Sequence, residues 1–597
     1  MYGPEIVLRK VVLRLMPFFR FHPWGFPLIC LLGILSSLAE GIGIGLFIPF
    51  FENLEHGAHL DSDVWIVDAL GALFASVSPE RRLLVICLCI LLSIVAKAAL
   101  SFANRCLFHW LDARIIHRLR SMMVDQLLRV DYRYLERTQT GTLVNTLGNE
   151  TWRTSEALAE LVNFIIKASA LAVYGLLLLL ISWQVTLLVL MVMAFITLLL
   201  RRITRYAESL GQEATRASNE ATIREIELVT AMKAIRTNNR EGYEQRKFDT
   251  ASKRAVDAIR RVAVTREWVS PVYEMLAGGF LVAILYISLG SGQPLSALLV
   301  FLFVLFRLQP FVKGLDESRV HVASLGGAVD AVTKLLDDTK ITAGDAGQER
   351  FDGLQKEIRL DRVTFHYDRN EPPALQEISA RLPAGRTIAL VGHSGAGKTT
   401  LVNLIARLYD VDSGELTADS IPLRQLDVVS WRQRMAVVNQ EPYLFNATVR
   451  ANIAYGRPDA SFEEIVAAAR DAEADGFIRE LPAGYDTVLG EHGVRLSGGE
   501  RQRIVLARAI VRKPDILILD EATNALDNIS EQAIRKALNR IRVGRTVLII
   551  AHRLSTITHA DLILVLKNGR VVEQGTYEQL IDRAGDFANL YRAELRP

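Results

Sequence analysis

The sequence predicts two domains in series: a membrane all-α domain of six transmembrane helices, fused to an α/β domain built on a P-loop. Three observations lead to this fold class. The chain has 597 residues, more than one hydrophobic core usually holds. Long apolar runs fill residues 1–320, whereas later residues alternate short apolar strands, helical patterns and glycine-rich turns. The sequence GHSGAGKT, a P-loop pattern, lies in that second part.

Composition and charge narrow the class of protein. The chain is 50% hydrophobic and yet 23% charged, so apolar and polar residues must be segregated along it. The net charge is only +3, and no basic stripe is interleaved with aromatic residues. Nucleic acid is therefore not an expected partner.

Six segments are long and apolar enough to cross a membrane, which requires about 20 residues of helix. They lie near 26–51, 83–108, 158–182, 184–203, 268–289 and 296–316. We therefore expect a transmembrane domain over residues 1–325, a linker over 326–354 and a second domain over 355–597.

The distribution of lysine and arginine predicts the orientation of these spans. The N-terminal stretch is basic, and so are the segments between spans two and three and between spans four and five. The segment 52–82 is mainly acidic. The positive-inside rule then places both termini in the cytoplasm. No removable signal peptide is expected, because no cleavage pattern follows a short apolar region.

The two long basic segments are predicted to continue as helices below the membrane. Both keep apolar residues at a spacing of three to four. Each is interrupted where the chain could reverse and dock on another domain, from Asp131 to Gly141 and from Leu228 to Asn239.

Five ionisable residues fall inside the predicted spans: Glu40, Lys97, Lys167, Glu274 and Arg307. Such residues are costly in lipid and usually face one another or a cavity. Glu40 and Lys97 both lie near mid-span, so we expect them to pair, either as a structural pair or as part of a substrate contact. The three cations could suit an anionic head group, although snorkelling or internal pairing explains them nearly as well.

The P-loop pattern follows a strand-like run, Thr387 to Val391, and precedes a helical pattern, which is the setting it requires. Backbone N–H groups of such a loop wrap around phosphates at a helix N-terminus. Lys398 is expected to reach the β- and γ-phosphates of a nucleotide, and the Thr399 hydroxyl to bind Mg²⁺. The second domain is thus an α/β P-loop nucleotide-binding domain. The loop residues predicted to bind nucleotide are Gly392, Ser394, Gly395, Ala396, Gly397, Lys398, Thr399 and Thr400.

A second motif places two carboxylates at the end of an apolar strand, in the run ILILDE. Asp520 is expected to hold Mg²⁺ through water, and Glu521 to polarise the attacking water as a general base. The alternative is a strand that ends in a solvated acidic turn. The P-loop upstream in the same domain favours the catalytic interpretation.

Between these motifs lies LSGGERQR, from Leu496 to Arg503, which resembles the signature of ATP-binding cassette (ABC) proteins. The remaining motifs of that family follow in order: Tyr367 ahead of the P-loop, Gln440 in VNQEPYLF, NALD ending at Asp527, and His552 in IIAHRL. The resemblance covers residues 355–590, and the six spans extend it to ABC exporter half-transporters of the type IV exporter fold, including lipid or lipid-linked sugar flippases.

The resemblance implies roles for individual residues. Tyr367 would stack on adenine, Gln440 would contact Mg²⁺ and act in catalysis, and His552 would hold the γ-phosphate. In similar proteins two cassettes face each other head to tail, so the signature of one completes the ATP site of the other. The residues implied to contact nucleotide in this way are Ser497, Gly498, Gly499 and Asp527.

Small departures from the family pattern leave the catalytic groups intact. Asparagine stands at 524 where serine is usual, and histidine at 492 where arginine is usual. Glu521 and His552 are both present, so both sites of a homodimer would be competent. Glu491 resembles the glutamate that contacts the inner helices in exporters.

The resemblance implies ATP-driven export or flipping of an amphipathic substrate, such as a lipid or lipid-linked sugar, by alternating access of a dimer. The short similarity of the first span to those of lipid exporters favours this substrate class over hydrophobic drugs or peptides. A membrane ATPase that regulates or gates is the alternative of another class. Such proteins typically carry altered catalytic residues, and this sequence has none. The expected location is a bacterial inner membrane, with membrane lipids as neighbours.

Overall fold

The computed structural model describes most of the chain. The described residues are 4–47, 50, 78–181, 183–268, 271–272, 274–276, 278–279, 282, 295–340, 347–490, 496–520, 528–551, 557–583 and 585–594.

Two compact units divide the chain. The membrane unit comprises Met1–Val130 and Tyr134–Lys340, and the C-terminal unit comprises Asp131–Arg133 and Ile341–Pro597. A tripeptide from the first inner segment therefore groups with the C-terminal unit.

The described part of the membrane unit is helical. Its helices are α1 Pro4–Phe19, α2 Gly25–Gly45, α3 Pro79–Arg129, α4 Tyr132–Arg137, α5 Thr140–Asn145, α6 Thr151–Ile181, α7 Trp183–Thr230, α8 Met232–Thr237, α9 Glu241–Glu267, α10 Leu295–Ser324 and α11 Gly326–Asp338. The first two residues of α4 belong to the tripeptide that groups with the C-terminal unit. One π-helical turn, Thr146–Glu150, joins α5 to α6.

Among the described residues, three helical segments are long and apolar enough to cross a membrane. They are Gly25–Gly45, Arg81–Arg129 and Thr140–Leu176. The predicted spans 184–203 and 296–316 fall within α7 and α10. Most of the predicted span 268–289 lies outside the described residues.

The inner extensions of α3 and α7 follow from their lengths of 51 and 48 residues. At 1.5 Å per residue each helix is more than about 70 Å long, over twice the hydrocarbon thickness. The chain leaves α3 through an extended Val130 and enters α4. It leaves α7 for the short α8, and Asn239 with φ of 52° precedes α9. Both predicted reversals are confirmed.

The linker predicted over 326–354 begins later than expected. Residues Gly326–Asp338 form α11, in which Ala328, Val329 and Val332 are fully buried. Val329 and Val332 share one hydrophobic core with residues of α1, α3 and α6. Apolar residues at helical spacing form one packed face here, so this segment belongs to the membrane unit.

The predicted intramembrane pair is confirmed. Lys97 Nζ lies 2.7 Å from Glu40 Oε1, and the Glu40 side chain is 8% exposed. Each charge thus has an opposite charge at contact distance, which offsets the cost of burial in an apolar surrounding. Arg307 has no described side chain.

Lys167 is also bound inside the membrane unit. Its ammonium donates to Gly314 O at 3.1 Å and to Ser318 Oγ at 2.9 Å, joining α6 to α10. Glu274 accepts from Lys313 Nζ at 2.7 Å. For Lys97 and Lys167, these contacts favour internal pairing over the head-group alternative.

A fully buried carboxylate, Glu150, ends the π turn. It accepts from Asn145 Nδ2 at 3.1 Å and from Arg153 NH1 at 3.0 Å. The same Arg153 nitrogen donates to Thr215 Oγ1 of α7 at 3.0 Å. This polar cluster satisfies the buried charge and ties α6 to α7.

The described residues of the C-terminal unit form two sheets. Its strands are β1 Glu357–Phe365, β2 Leu375–Pro383, β3 Thr387–Val391, β4 Ser413–Ala418, β5 Ile421–Pro422, β6 Met435–Val438, β7 Ile516–Asp520, β8 Thr546–Ile550, β9 Leu562–Lys567 and β10 Arg570–Gly575. An antiparallel sheet has the order β2-β1-β4-β5, and a second sheet has the order β10-β9-β3-β8-β7-β6. Strands β9, β3, β8, β7 and β6 run parallel, so their carboxyl ends meet at one edge.

Helices of the C-terminal unit surround the second sheet. They are α12 Lys398–Ile405, α13 Val428–Gln433, α14 Val449–Ala454, α15 Phe462–Asp471, α16 Asp475–Glu480, α17 Gly498–Val511, α18 Asn528–Ile541, α19 Tyr577–Asp582 and α20 Asp586–Glu594. Strands β3 and β7 are almost entirely buried, as expected of parallel strands that are covered on both faces.

Candidate active site

The carboxyl edge of the parallel sheet brings the predicted motifs together. The P-loop leaves β3, Asp520 ends β7, and Gln440 follows β6 by two residues. In register, Leu390 of β3 and Asp520 of β7 both pair with Ile550 of the intervening β8. Since neighbouring strands lie about 4.8 Å apart, Asp520 stands about 10 Å from the strand that feeds the P-loop.

The backbone of the P-loop explains two of its glycines. Gly392 has φ of 153°, and a Cβ at this position would lie 2.2 Å from Leu566 O. Gly397 has φ of 100°, and a Cβ there would lie 2.6 Å from Leu375 Cδ2. A side chain at either position would force the backbone to move. The loop can therefore turn tightly into α12, whose N-terminus favours anions.

Lys398 is 6% exposed and lies over the loop that it ends. Its ammonium donates to Gly392 O at 2.7 Å and to His393 O at 3.0 Å. The charge is therefore held at the place where a P-loop receives phosphate. Ser394, Gly395 and Thr399 are exposed, as groups that meet a ligand must be, whereas Ala396 and Thr400 are buried beneath the loop.

Tyr367 is tied to the same loop from the antiparallel sheet. Its hydroxyl and Thr400 Oγ1 are 2.9 Å apart. Its ring packs edge-on against Phe365 and Tyr409, with ring centroids 5.1 and 5.6 Å away. These contacts fix the aromatic ring next to the end of the P-loop.

The signature motif opens a helix. Ser497 is the N-cap of α17, where its hydroxyl oxygen accepts from Glu500 N at 3.3 Å, and Ser497 N donates to Glu500 Oε2 at 2.7 Å. Ser497 and Gly498 are exposed, and Gly499 is buried. Because Ser497 Oγ acts as an acceptor within the cap, its proton can be donated to an anion at the helix N-terminus.

The predicted metal ligands are all oxygen donors. Thr399 has a hydroxyl, Gln440 an amide oxygen and Asp520 a carboxylate, and Mg²⁺ prefers such oxygen ligands. Thr399 lies in the first turn of α12, which the P-loop joins to the carboxyl end of β3. Gln440 follows β6, and Asp520 ends β7 at the same sheet edge. This donor set fits a magnesium ion. Glu521, Asp527 and His552, together with Glu491, His492 and Asn524, lie outside the described residues.

Arg133 extends this site in a way that the sequence does not reveal. Within the C-terminal unit, its guanidinium donates to Asp410 O at 3.1 Å and pairs with Asp412 at 3.4 Å. The same group lies 4.9 Å from the centroid of the Phe365 ring. Arg133 therefore contacts Phe365, which in turn contacts Tyr367.

Asp412 is held as a carboxylate by this arrangement. Burial raises its pKa, but bonds from the backbone and ring of His366 and the Arg133 guanidinium more than offset burial, and the pKa is lowered. The sequence does not predict the partners of Arg133, because Asp410 and Asp412 are separated from it by more than 270 residues.

The sheet, the P-loop and the carboxylate-terminated strand define a P-loop nucleotide-hydrolase domain, joined to a helical membrane unit. Comparison with known proteins gives the family. Residues 375–524 match the family model of the ABC transporter, and residues 44–309 match that of the ABC transporter transmembrane region.

Similar proteins match both units. The heterocyst differentiation ATP-binding protein HepA of Nostoc sp. is 34% identical over 92% of this chain and 91% of its own length. An ATP-dependent lipid A-core flippase of Chromobacterium violaceum is 35% identical over 82% of this chain and 84% of its own length. The solved structure of a bacterial Atm1-family ABC exporter with ATP bound superposes with a TM-score of 0.78 at 26% identity, covering 97% of this chain and 99% of that chain.

This chain belongs to the ABC transporter family. It is an integral membrane protein that binds ATP and couples its hydrolysis to transport, with the membrane and ATPase parts in one polypeptide, as in an exporter half-transporter.

Proposed function

We propose that this chain acts as a homodimer which flips or exports an amphipathic lipid or lipid-linked sugar across a bacterial inner membrane, with both termini in the cytoplasm. The observation that carries the proposal is the extent of the similarity to lipid A-core flippases. It covers 82% of the chain in one case and 97% in another, and so extends over both units.

Each P-loop binds the phosphates of one ATP. Lys398 exchanges its carbonyl partners for the β- and γ-phosphates, while Tyr367 stacks on adenine. Thr399, Gln440 and Asp520 would hold Mg²⁺, which would supply positive charge that offsets charge on the phosphates. Glu521 orients and deprotonates the attacking water, and His552 donates to the γ-phosphate.

The signature of the second copy completes each site. Ser497 and the N–H groups of Gly498 and Gly499 open α17, so they offer a hydroxyl proton and a helix N-terminus to the γ-phosphate on the partner's P-loop. By resemblance to the family, Asp527 would act at the same head-to-tail contact. ATP favours the closed dimer because this second set of contacts exists only there.

Closure reaches the membrane helices through the inner reversals. The tripeptide Asp131–Arg133 belongs to the C-terminal unit, and Arg133 lies against Phe365 beside the P-loop tyrosine. A movement of the C-terminal unit therefore carries the end of α3 with it.

The test is ATP hydrolysis and lipid translocation by the purified protein in vesicles, comparing wild type with Glu521→Gln. The matched control is Glu415→Gln, an exposed glutamate of β4. We expect Glu521→Gln to lower hydrolysis by about 10²- to 10⁴-fold and to stop translocation, and the control to behave as wild type. Lipid A and lipid-linked sugars are expected to stimulate the wild type.

Two outcomes would contradict the proposal. Stimulation by hydrophobic drugs or peptides but by no lipid would reject the substrate class while preserving ATP-driven transport. Unchanged lipid translocation by Glu521→Gln would reject ATP-driven flipping altogether, in favour of a regulatory ATPase.

A further inference from the structure

A cluster of aromatic and cationic side chains lies just before the first predicted span and just after the second. His22, Trp24 and Trp110 are in mutual contact, with ring centroids 5.9 to 6.4 Å apart. Two arginines of α3 cover the neighbouring rings. The Arg114 guanidinium lies 4.2 Å from the Trp110 ring centroid, and that of Arg118 lies 4.9 Å from the Phe21 centroid.

Helical spacing puts the α3 members of this cluster on one stripe. Residues 110, 114, 117 and 118 recur at i, i+4, i+7 and i+8, so Trp110, Arg114, His117 and Arg118 share a face. All four are exposed, with Trp110 at 41%. Trp24, from the chain before α2, is 51% exposed beside them. Two adjacent tryptophans exposed to this extent are expected at an interface rather than in water.

By its distance from the ends of the spans, the cluster lies at the depth of the lipid head groups. Trp110 and Arg114 follow the predicted end of the second span by two and six residues, or about 3 and 9 Å of helix. The polar layer on each side of the hydrocarbon is about 5 to 8 Å thick. Trp24 and Phe21 precede the first span by a few residues and contact the same stripe, so the start of the first span and the end of the second lie at the same membrane surface.

The charge of the cluster is not neutralised within the described residues. Neither Arg114 nor Arg118 has a carboxylate at salt-bridge distance there, and Arg118 NH1 donates only to the Phe21 carbonyl, at 3.5 Å. By contrast, Arg14 of α1 pairs with Asp330, and Arg129 of α3 pairs with Asp125. The nearby Asp112 is engaged by Ser155 of α6. The ring faces also hold the two guanidinium planes in place.

We infer that this cluster, Phe21, His22, Trp24, Trp110, Arg114, His117 and Arg118, is a binding site for the phosphate head group of an anionic phospholipid in the cytoplasmic leaflet. The arginines neutralise the phosphate, and the tryptophans pack along the glycerol and upper acyl region. The site lies on the exposed stripe of α3 and requires neither ATP nor transport. Its assignment to the cytoplasmic leaflet rests on the orientation given in the proposed function.

The experiment is native mass spectrometry of the ATP-free full-length protein in detergent, titrated separately with phosphatidylglycerol and phosphatidylcholine. The readout is the ratio of the two dissociation constants. Wild type is expected to prefer phosphatidylglycerol. In Arg114→Gln/Arg118→Gln that preference is expected to fall at least about tenfold, since each basic residue near the membrane surface contributes a severalfold factor.

Two matched variants control for charge and folding. Arg129→Gln/Arg246→Gln removes two exposed arginines that lie about 30 Å below the membrane by helix length, and it is expected to retain the wild-type preference. Arg114→Lys/Arg118→Lys keeps the charge and is expected to retain most of the preference. If the double glutamine variant fails to fold, the single variants Arg114→Gln and Arg118→Gln test the role of charge, and each is expected to lower the preference severalfold.

The inference is overturned if the glutamine variant keeps the wild-type ratio, or if the distant control loses preference equally. The same spectra report the mass of the assembly. Loss of the dimer in the glutamine variant, with an unchanged lipid ratio, would assign this face to a contact between copies instead. Failure of lipid flipping in vesicles would leave the lipid-binding ratio unaffected.

Discussion

Two regions of the molecule hold buried charge in different ways. At the P-loop the Lys398 ammonium is bonded to backbone carbonyls of its own loop, five and six residues away. In the membrane unit the Glu150 carboxylate is bonded by side chains of Asn145 and Arg153, and Arg153 also reaches Thr215. The first charge can leave its carbonyl partners for a ligand, whereas the second is fully committed to the fold. The comparison predicts that substitutions will affect function in one region and stability in the other.

The largest effect is expected at Lys398. Lys398→Ala removes the charge that reaches the phosphates but leaves a loop whose shape depends on backbone conformation. ATP hydrolysis should fall by about 10²- to 10³-fold, with little change in the midpoint of thermal unfolding. The exposed Lys356 of the same unit gives the control Lys356→Ala, which should retain activity. A large loss of stability in Lys398→Ala would mean that the ammonium holds the loop together.

A substitution at Glu150 should instead lower the stability of the fold. Glu150→Ala leaves the Arg153 charge without its buried anion, and removing one partner of such a pair costs about 3 to 5 kcal/mol. The free energy of unfolding of the membrane unit should fall accordingly, as measured by denaturant unfolding in detergent. Glu225→Ala, at an exposed glutamate of α7, is the control. An unchanged stability combined with lost transport would show that the Glu150 cluster is functional rather than structural.

The Glu40–Lys97 pair is expected to have a smaller effect, because Lys97 is 31% exposed. We expect a double-mutant cycle on the free energy of unfolding, with Glu40→Gln and Lys97→Gln, to give a coupling energy of about 1 to 2 kcal/mol. If the pair is purely structural, the double variant should transport as wild type does. A zero coupling energy combined with altered substrate stimulation would instead assign the two residues to the substrate path.

The contrast between the regions also explains what the sequence can predict. The P-loop and the signature helix depend on consecutive residues whose glycines, caps and helix starts encode the geometry locally, as at Gly392 and Ser497. The Glu40–Lys97 pair was predictable because two unmatched charges at mid-span have few possible partners. The roles of individual ATP-site residues remain predictions.

Other features required the three-dimensional fold. Nothing in the local pattern around Glu150 links it to Thr215. Arg133 meets Asp412 only because the tripeptide Asp131–Arg133 groups with the C-terminal unit. The segment around Val329 was interpreted as a linker because its apolar face has a partner only once α1, α3 and α6 pack together. Long-range packing decides these contacts, and a single sequence does not specify it.

The smallest expected effect concerns His321, beyond the predicted end of the sixth span. Its Nε2 lies 3.1 Å from Glu156 Oε1 and its Nδ1 lies 3.8 Å from Glu160, while Arg266 approaches Nε2 at 3.4 Å. Burial lowers the pKa of His321. Its hydrogen bonds to Glu156 and Glu160, together with the negative charges of these two residues, more than offset burial and raise the pKa to about 9. The imidazolium should therefore join α6 to α10 at neutral pH.

The sign of the pH dependence follows from this pKa. Because the folded-state pKa exceeds the value of about 6.5 for an unfolded histidine, the stabilisation is fully present below pH 6.5 and is lost as the pH rises through about 9. Its size should be on the order of 1 kcal/mol, since Glu156 is half exposed and solvent screens the pair. Unfolding midpoints of wild type and His321→Gln, compared at pH 6.5 and pH 9.5, should differ at the lower pH and converge at the higher. A constant difference would mean that His321 stabilises the helices through packing, and the charged group linking α6 to α10 would then be Lys167.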